Sequence, residues 1–168
     1  TEYANLALLS TVEFDVLKLD KSLVDDVALS SRARSVVENI VSICKGMQIK
    51  VVAEGIETEE QLESVLSYVQ EDGKESGMEA VYLEAETLED HLEQDIRQIH
   101  AEGMKAYVML PVVFREKTRE RYEKRLNFWK ELDTDGYVIR NLEEYTFLKE
   151  NDLLKGMITD HNVYTFNK

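Results

Sequence analysis

Short apolar runs alternate with segments of helical periodicity along almost the whole chain, and this alternation is the feature that most restricts its fold. Six runs have the length and the apolar content of buried strands. They are residues 14–19, 50–53, 80–85, 105–110, 136–140 and 156–159. Strands that alternate with helices predict βα units, and such units form parallel sheets.

The segments between these strands place apolar residues three or four positions apart, as amphipathic helices do. The predicted apolar faces are Val36, Ile40, Cys44 and Met47; Leu62, Val65, Leu66 and Val69; Leu88, Leu92, Ile96 and Ile99; Tyr122, Leu126 and Trp129; and Leu142, Tyr145 and Leu148. The predicted fold is therefore α/β, with six parallel strands in chain order and five intervening helices in right-handed crossovers.

Chain length limits how far such a sheet can close. The chain has 168 residues, 43% of them hydrophobic, whereas a closed eight-stranded α/β barrel typically has about 250 residues. We therefore expect a partial TIM-type barrel of about six strands. Because a partial barrel has two unpaired sheet edges, we also expect self-association.

Charge and cysteine content restrict the partners and the location. The formal net charge is −14, from 34 acidic and 20 basic residues, and such a field repels nucleic acids and anionic membranes. Cys44 is the single cysteine, so an internal disulfide is excluded. Without a signal peptide or a long apolar run, the expected location is the cytoplasm. Because Thr1 is not an initiator methionine, we expect that an amino-terminal portion has been lost.

Residues 50–63, KVVAEGIETEEQLE, lead from a predicted buried strand into the start of a helix. Glu54 and Glu57 follow the strand, and Thr58 with Gln61 form a capping box. Carboxylates at the carboxyl end of a parallel strand often carry the chemistry of α/β proteins. By spacing alone, catalytic carboxylates and solvated loop acids are equally good interpretations.

This segment resembles the EAL domain, the cyclic di-GMP phosphodiesterase of bacterial signalling, because AEGIET corresponds to the family motif A-E-G-V-E-T. The resemblance extends over residues 3–26, where Lys18, Leu19 and Asp20 correspond to the family's K-[IL]-D motif. It implies a hydrolase that requires magnesium or manganese, with cyclic di-GMP as the possible partner.

The same resemblance implies roles for individual residues. Lys18 would lie beside a metal-bound water, Glu54 would bind a metal or act as the base, and Glu57 would hold the active-site loop. Asp20 would contribute to substrate binding. These residues are the catalytic and binding candidates of the first part of the chain.

Several parts of the family's metal centre have no counterpart in this sequence. The alignment begins at Thr1, just after the family's paired metal-bridging aspartates, and the E-A-L tripeptide and its partner Asn and Glu are absent. Glu2 replaces a family glycine. Because hydrolysis with two metal ions needs enough carboxylates to hold both, we expect this chain to be inactive.

A second resemblance covers residues 78–168. The segments EAVYLEAE, KAYVMLPVVFREKTRE, DGYVIRNLEEYTFLKE and ITDHNVYTFN are similar to parts of the collagenase-like peptidases of unknown catalytic type. The cysteine signature of that family is absent. We therefore expect an EAL-like piece at 1–69, a junction loop at 70–77 and a peptidase-like piece at 78–168, packed as one unit.

Two arginines are predicted to follow neighbouring strands at the same rim of the sheet. Arg115 follows LPVVF and Arg140 follows GYVI. Guanidinium groups there could bind a phosphate or carboxylate of a substrate. The alternative is ion pairing with acids such as Glu84 and Glu86.

The segment ITDHN places three polar residues at the end of the last predicted strand. Asp160, His161 and Asn162 could bind a ligand or a metal, with Glu54 and Asp160 as metal ligands and His161 as a substrate-binding residue. The alternative is a structural role in turning the loop. If all strands are parallel, these residues join Lys18, Glu57 and the two arginines in one mixed-charge cleft.

Three functional classes remain open at this point. The chain is an inactive fragment of an EAL phosphodiesterase, a fragment of a collagenase-like peptidase, or a non-catalytic chimeric α/β domain.

Overall fold

The computed structural model describes residue 13 and residues 15–72 and 77–160 as a curled, parallel sheet with helices on its outer face. The strands are β1 (Val16–Leu19), β2 (Lys50–Ile56), β3 (Met78–Glu84), β4 (Lys105–Met109), β5 (Gly136–Ile139) and β6 (Ile158–Thr159). They are hydrogen-bonded in chain order, and every neighbouring pair is parallel. The predicted class, strand number and strand order are confirmed.

The five crossovers contain eight helices in the described part of the chain. They are α1 (Lys21–Leu29), α2 (Ser31–Gly46), α3 (Glu59–Asp72), α4 (Ala85–Leu88), α5 (Leu92–Ala101), α6 (Glu116–Lys124), α7 (Leu126–Glu131) and α8 (Leu142–Glu150). The prediction of five helices was therefore wrong, because three crossovers are divided. In the first of them, Ser30 ends α1 and its hydroxyl accepts a hydrogen bond from the backbone N–H of Ala33 at the start of α2.

Two of the predicted helix faces were also partly wrong. On α2 the buried residues are Val37, Val41 and Cys44, whereas Val36 and Met47 are exposed. On α8 Leu142 is exposed, and Phe147 takes its place in the core. The helical spacing was predicted correctly in both helices. The face that is buried is rotated slightly from the face inferred from the apolar residues alone.

The strand β2 contains a bulge where Glu54 lies. Ala53 pairs with Val81 and Ile56 pairs with Leu83, so β2 has one residue more than β3 between these pairs. Within the bulge, Gly55 has φ +75°, a left-handed conformation that glycine adopts without strain.

The sheet separates two apolar cores. The larger core lies between the outer face and the helices, and Trp129, Tyr122 and Phe147 are among its largest side chains. The smaller core lies on the inner face and consists of Val52, Ala80, Tyr82, Met109 and Val138, with Tyr107 and Ile158 packed against it. Side chains therefore fill the concave side of the sheet.

The curl brings the two outermost strands towards each other. Lys18 belongs to β1, at one edge of the sheet, and Asp160 directly follows β6, at the other edge. Their side chains are nevertheless in contact. The sheet also continues across the expected junction, because β2 and β3 pair directly.

None of the helices in the described ranges is long and apolar enough to cross a membrane.

Candidate functional site

Three charged side chains meet at the carboxyl-terminal rim of the sheet, and we call Lys18, Glu54 and Asp160 the rim triad. The ammonium nitrogen of Lys18 lies 2.7 Å from Glu54 Oε2 and 2.7 Å from Asp160 Oδ1. The strands β1 and β2 supply the first two residues, and the third directly follows β6. The triad therefore places one positive charge between two carboxylates.

Backbone structure and burial hold the triad in place. The backbone N–H of Asp160 donates to Ile139 O at 2.9 Å, which continues the pairing of β6 with β5. The side chain of Asp160 is 2% exposed and that of Glu54 is 18% exposed. Because a buried carboxylate is unfavourable without a partner, the ammonium of Lys18 compensates their desolvation.

An aromatic surface lies beneath the ammonium group. Lys18 Nζ lies 5.7 Å from the ring centroid of Tyr82, which packs edge to face against Tyr107 at 5.5 Å. Burial lowers the pKa of Lys18, but its hydrogen bonds to Asp160 and Glu54 outweigh this effect and the net pKa is raised. The lysine is therefore a permanent cation at neutral pH.

Glu57 belongs to a second ion pair on the same rim. Its Oε1 lies 2.7 Å from Lys21 Nζ, and both side chains are partly exposed. The backbone N–H groups of Glu57 and Thr58 donate to Gln61 Oε1 at 2.7 and 3.0 Å, and the backbone N–H of Gln61 donates to Thr58 Oγ1 at 3.2 Å. The predicted capping box is confirmed, and it fixes the loop that carries Glu57.

Asp20 acts as a helix cap in the structure. Its carboxylate accepts hydrogen bonds from the backbone N–H of Ser22 at 2.9 Å and from the Ser22 hydroxyl at 2.6 Å. These bonds lower the pKa of Asp20. Its observed contacts begin α1, and its assignment to substrate binding stays a prediction.

Arg140 forms an ion pair with Glu84. Of the two interpretations of this arginine, ion pairing with a neighbouring acid is the one observed. Its guanidinium donates to Glu84 Oε1 at 2.7 Å and to Glu84 Oε2 at 3.1 Å, and it also contacts Leu110 O. Burial raises the pKa of Glu84 despite this pairing. Burial also raises the pKa of Glu144 to about 7, although this carboxylate accepts a hydrogen bond from the backbone N–H of Arg140 at 2.6 Å.

Arg115 lines a groove whose lining residues include none of the rim triad. It is exposed just before α6 and lines an open groove of about 810 Å³ with Arg119, Leu142 and Glu143. His161 and Asn162 lie outside the described residues. The structure thus brings together Lys18, Glu54 and Asp160, and it pairs Glu57 with Lys21 and Arg140 with Glu84. The single mixed-charge cleft stays a prediction.

The described side chains do not fit the metal centre that the EAL resemblance implies. No group of three or more His, Cys, Asp or Glu residues in residues 13, 15–72 and 77–160 could hold a metal ion. The two predicted metal ligands, Glu54 and Asp160, both contact the ammonium of Lys18.

Sequence reasoning missed two buried acids. Glu144 is fully buried and forms a reciprocal cap with Asn141, and the spacing Asn-x-x-Glu could have revealed it. Asp95 is 2% exposed between α5 and α3, and its Oδ2 has no hydrogen-bond partner. Burial and the charge of Glu59 raise the pKa of Asp95 to about 6. No local pattern marks Asp95, because its burial depends on the packing of two helices.

Comparison with known proteins supports the first of the two resemblances. The EAL domain model matches residues 1–69. The chain is 39% identical to the cyclic di-GMP phosphodiesterase NbdA of Pseudomonas aeruginosa over 62 residues. These residues make up 37% of this chain and 8% of that protein. It is 35% identical to the probable cyclic di-GMP phosphodiesterase PdeB of Escherichia coli over 92 residues. These residues make up 55% of this chain and 16% of that protein.

A further relative agrees with these. The cyclic di-GMP phosphodiesterase PdeL of Escherichia coli is 33% identical over 66 residues, which cover 39% of this chain and 18% of that protein. The chain therefore spans less than a fifth of the length of these relatives. The family model ends within α3, so β3 to β6 lie beyond its range. Residues 1–69, which contain β1, β2 and most of α3, are thus similar to the EAL domain found in cyclic di-GMP phosphodiesterases.

Proposed function

We propose that this chain is a non-catalytic α/β domain whose first part is related to cyclic di-GMP phosphodiesterases. The observation that carries this proposal is the rim triad. Glu54, the residue expected to bind a metal or act as the base, is 2.7 Å from an ammonium group that also binds Asp160. A carboxylate in this state is satisfied within the fold.

The chemistry of phosphodiester hydrolysis supports the same conclusion. Metal-dependent hydrolysis needs carboxylates that hold the ions and a water made nucleophilic at neutral pH. In this chain Lys18 neutralises one of the two rim carboxylate charges, and Glu57 is paired with Lys21. The retained family residues therefore stabilise the rim of the sheet and leave no acid poised for hydrolysis.

The single cysteine of the chain does not support the peptidase alternative. Cys44 is buried on α2, and burial raises the pKa of its thiol. A nucleophilic cysteine needs a lowered pKa and access to substrate. We therefore propose that Cys44 is a core residue, and that the EAL-like and peptidase-like pieces pack as one unit, in which β3 to β6 extend the sheet that β1 and β2 begin.

Product analysis tests the proposal directly. The purified chain is incubated with cyclic di-GMP and either magnesium or manganese, and the linear dinucleotide is separated by chromatography. We expect no product above the level of a Glu54→Gln variant. Linear dinucleotide that forms with the wild-type chain and disappears in the Glu54→Gln variant would contradict the proposal.

Titration calorimetry with cyclic di-GMP separates loss of hydrolysis from loss of binding. We expect no saturable heat in the presence of magnesium, because Arg140 and Lys18 are already paired with carboxylates. Saturable binding without product would instead identify the chain as a receptor for the dinucleotide.

A further inference from the structure

The ammonium of Lys18 lies 2.7 Å from a carboxylate oxygen of each of the two predicted metal ligands, Glu54 and Asp160. We propose that Lys18 is the built-in counter-cation of these two carboxylates, and that it joins the two edges of the sheet in place of a metal ion. The inference deepens the proposed function, because it names the group that occupies the same site.

The distances support this assignment. Oxygen ligands lie about 2.0–2.6 Å from magnesium or calcium ions. Glu54 Oε2 and Asp160 Oδ1 each lie 2.7 Å from Lys18 Nζ, which is the separation of a charge-assisted hydrogen bond. A metal ion that binds both oxygens would have to displace the ammonium group.

Burial explains why the two carboxylates need a cation. The side chain of Asp160 is 2% exposed, whereas that of Lys18 is 33% exposed. Removal of one partner from a buried ion pair is strongly destabilising, because the remaining charge is left uncompensated. Loss of the Lys18 ammonium therefore removes a positive charge that compensates the buried carboxylate of Asp160.

The position of Lys18 in the fold allows its ammonium group to connect the two edges of the sheet. Lys18 is in β1 and Asp160 follows β6, and β1 and β6 are the two ends of the strand order. The pair therefore connects residues 142 positions apart along the chain. It also connects the EAL-like part to the last strand of the sheet, because Asp160 lies beyond residues 1–69, which the family model matches.

Thermal unfolding with and without millimolar MnCl₂ tests the inference in the full chain. Lys18→Met removes the cation while keeping the length of the side chain, and Lys18→Arg retains a cation. Lys21→Met is the matched control, because Lys21 forms a more exposed ion pair with Glu57 on the same rim. The double variant Lys18→Met with Glu54→Gln removes the cation together with one of the two carboxylates.

We expect Lys18→Met to lower the Tm by about 10 °C, and Lys18→Arg and Lys21→Met to lower it much less. Manganese should raise the Tm of Lys18→Met by several degrees, and the double variant should lose this effect. The Tm of the wild-type chain should not respond to manganese. If Lys18→Met does not fold, the wild-type chain still decides, because a manganese-dependent rise in its Tm would contradict the inference.

A manganese-dependent rise in the Tm of the wild-type chain that Glu54→Gln abolishes would overturn the inference. A folded Lys18→Met variant without any response to manganese would also overturn it. The second result would leave the proposed function intact, whereas hydrolysis of cyclic di-GMP by the wild-type chain would refute the proposed function without deciding the manganese experiment.

Discussion

At the scale of single residues, the structure compensates its buried acids in different ways. Asp160 contacts the ammonium of Lys18, and Glu144 accepts hydrogen bonds from Asn141 and from the backbone of Arg140. Asp95 is equally buried, but its Oδ2 has no partner. These environments predict that the carboxylate of Asp160 stabilises the fold in its charged form, whereas ionisation of Asp95 destabilises the fold.

Asp95 should make the stability of the chain depend on pH. Burial, together with the charge of Glu59, raises its pKa from 3.8 to about 6, against a smaller opposing effect of His91. Because the folded-state pKa is raised, the stabilising contribution is present below pH 4 and is lost as pH rises through about 6. We expect Asp95→Asn to increase the free energy of unfolding at pH 8 by about 1–3 kcal/mol, with little gain at pH 4.

Urea unfolding between pH 4 and pH 8 measures this effect. The pKa of Glu144 is also raised, to about 7, so this residue too lowers the free energy of unfolding as pH rises. The Asp95→Asn variant should therefore keep part of the decrease in stability between pH 4 and pH 8. Glu93→Gln is the control, because Glu93 is an exposed acid on the same helix. Parallel pH profiles for wild type and Asp95→Asn would show that Asp95 ionises normally in the folded chain.

At the scale of helices and strands, the alternation of apolar runs was sufficient to predict six parallel strands in chain order. Right-handed crossovers between successive βα units leave few other arrangements. The divided crossovers were not predictable by the same reasoning. Leu88 and Leu92 fit one continuous apolar stripe, yet residues 89–91 form a turn between α4 and α5, so one stripe covers two helices.

The candidate site shows the same limit. The motifs identified Lys18 and Glu54, and the strand pattern placed Asp160 at the same rim. Their common position was therefore expected, but the pairing of Lys18 with both carboxylates was not predictable, because it depends on the curl of the whole sheet and on the bulge between Ala53 and Ile56. On α2, the choice between Val36 and Val37 as the buried residue also depends on how the helix rotates against the sheet.

Gly156 is the position where the approach of two segments most clearly excludes a side chain. It has φ +67°, and a Cβ atom there would overlap the backbone carbonyl of Asp135. We expect Gly156→Ala to reduce the free energy of unfolding by about 3 kcal/mol or more, because both the backbone conformation and the contact disfavour alanine.

Gly46→Ala is the matched control for this prediction. Gly46 ends α2, and a Cβ atom there would meet no atom within 4 Å. Alanine at this position should be neutral or stabilise the chain by up to about 1 kcal/mol. Urea unfolding of both variants decides the matter, and equal stability of Gly156→Ala and wild type would show that the segments around Asp135 and Gly156 are further apart than in the structure.

At the scale of the whole molecule, one sheet contains both the part that matches the EAL domain and the part beyond it. β1 pairs only with β2, and β6 pairs only with β5, within the residues that the structure describes. The rim triad connects the two ends of the sheet through side chains. The backbones of β1 and β6 are not hydrogen-bonded to each other within the described residues.

These edges predict self-association. An unpaired parallel strand offers its backbone groups to a second chain, and Val16 in β1 is 46% exposed. We expect a dimer by light scattering coupled to size-exclusion chromatography, and we expect Val16→Lys to shift the chain towards monomer. A wild-type monomer that melts cooperatively would contradict this prediction.

A double-mutant cycle with Lys18→Met and Asp160→Asn, measured by urea unfolding at neutral pH, tests most directly whether the rim triad joins the two edges of the sheet. The account predicts that the double variant is more stable than the sum of the single effects implies, with a coupling free energy of about 1–3 kcal/mol. Additive effects, within about 0.5 kcal/mol, would contradict it, because two residues 142 positions apart couple only when the fold brings them together.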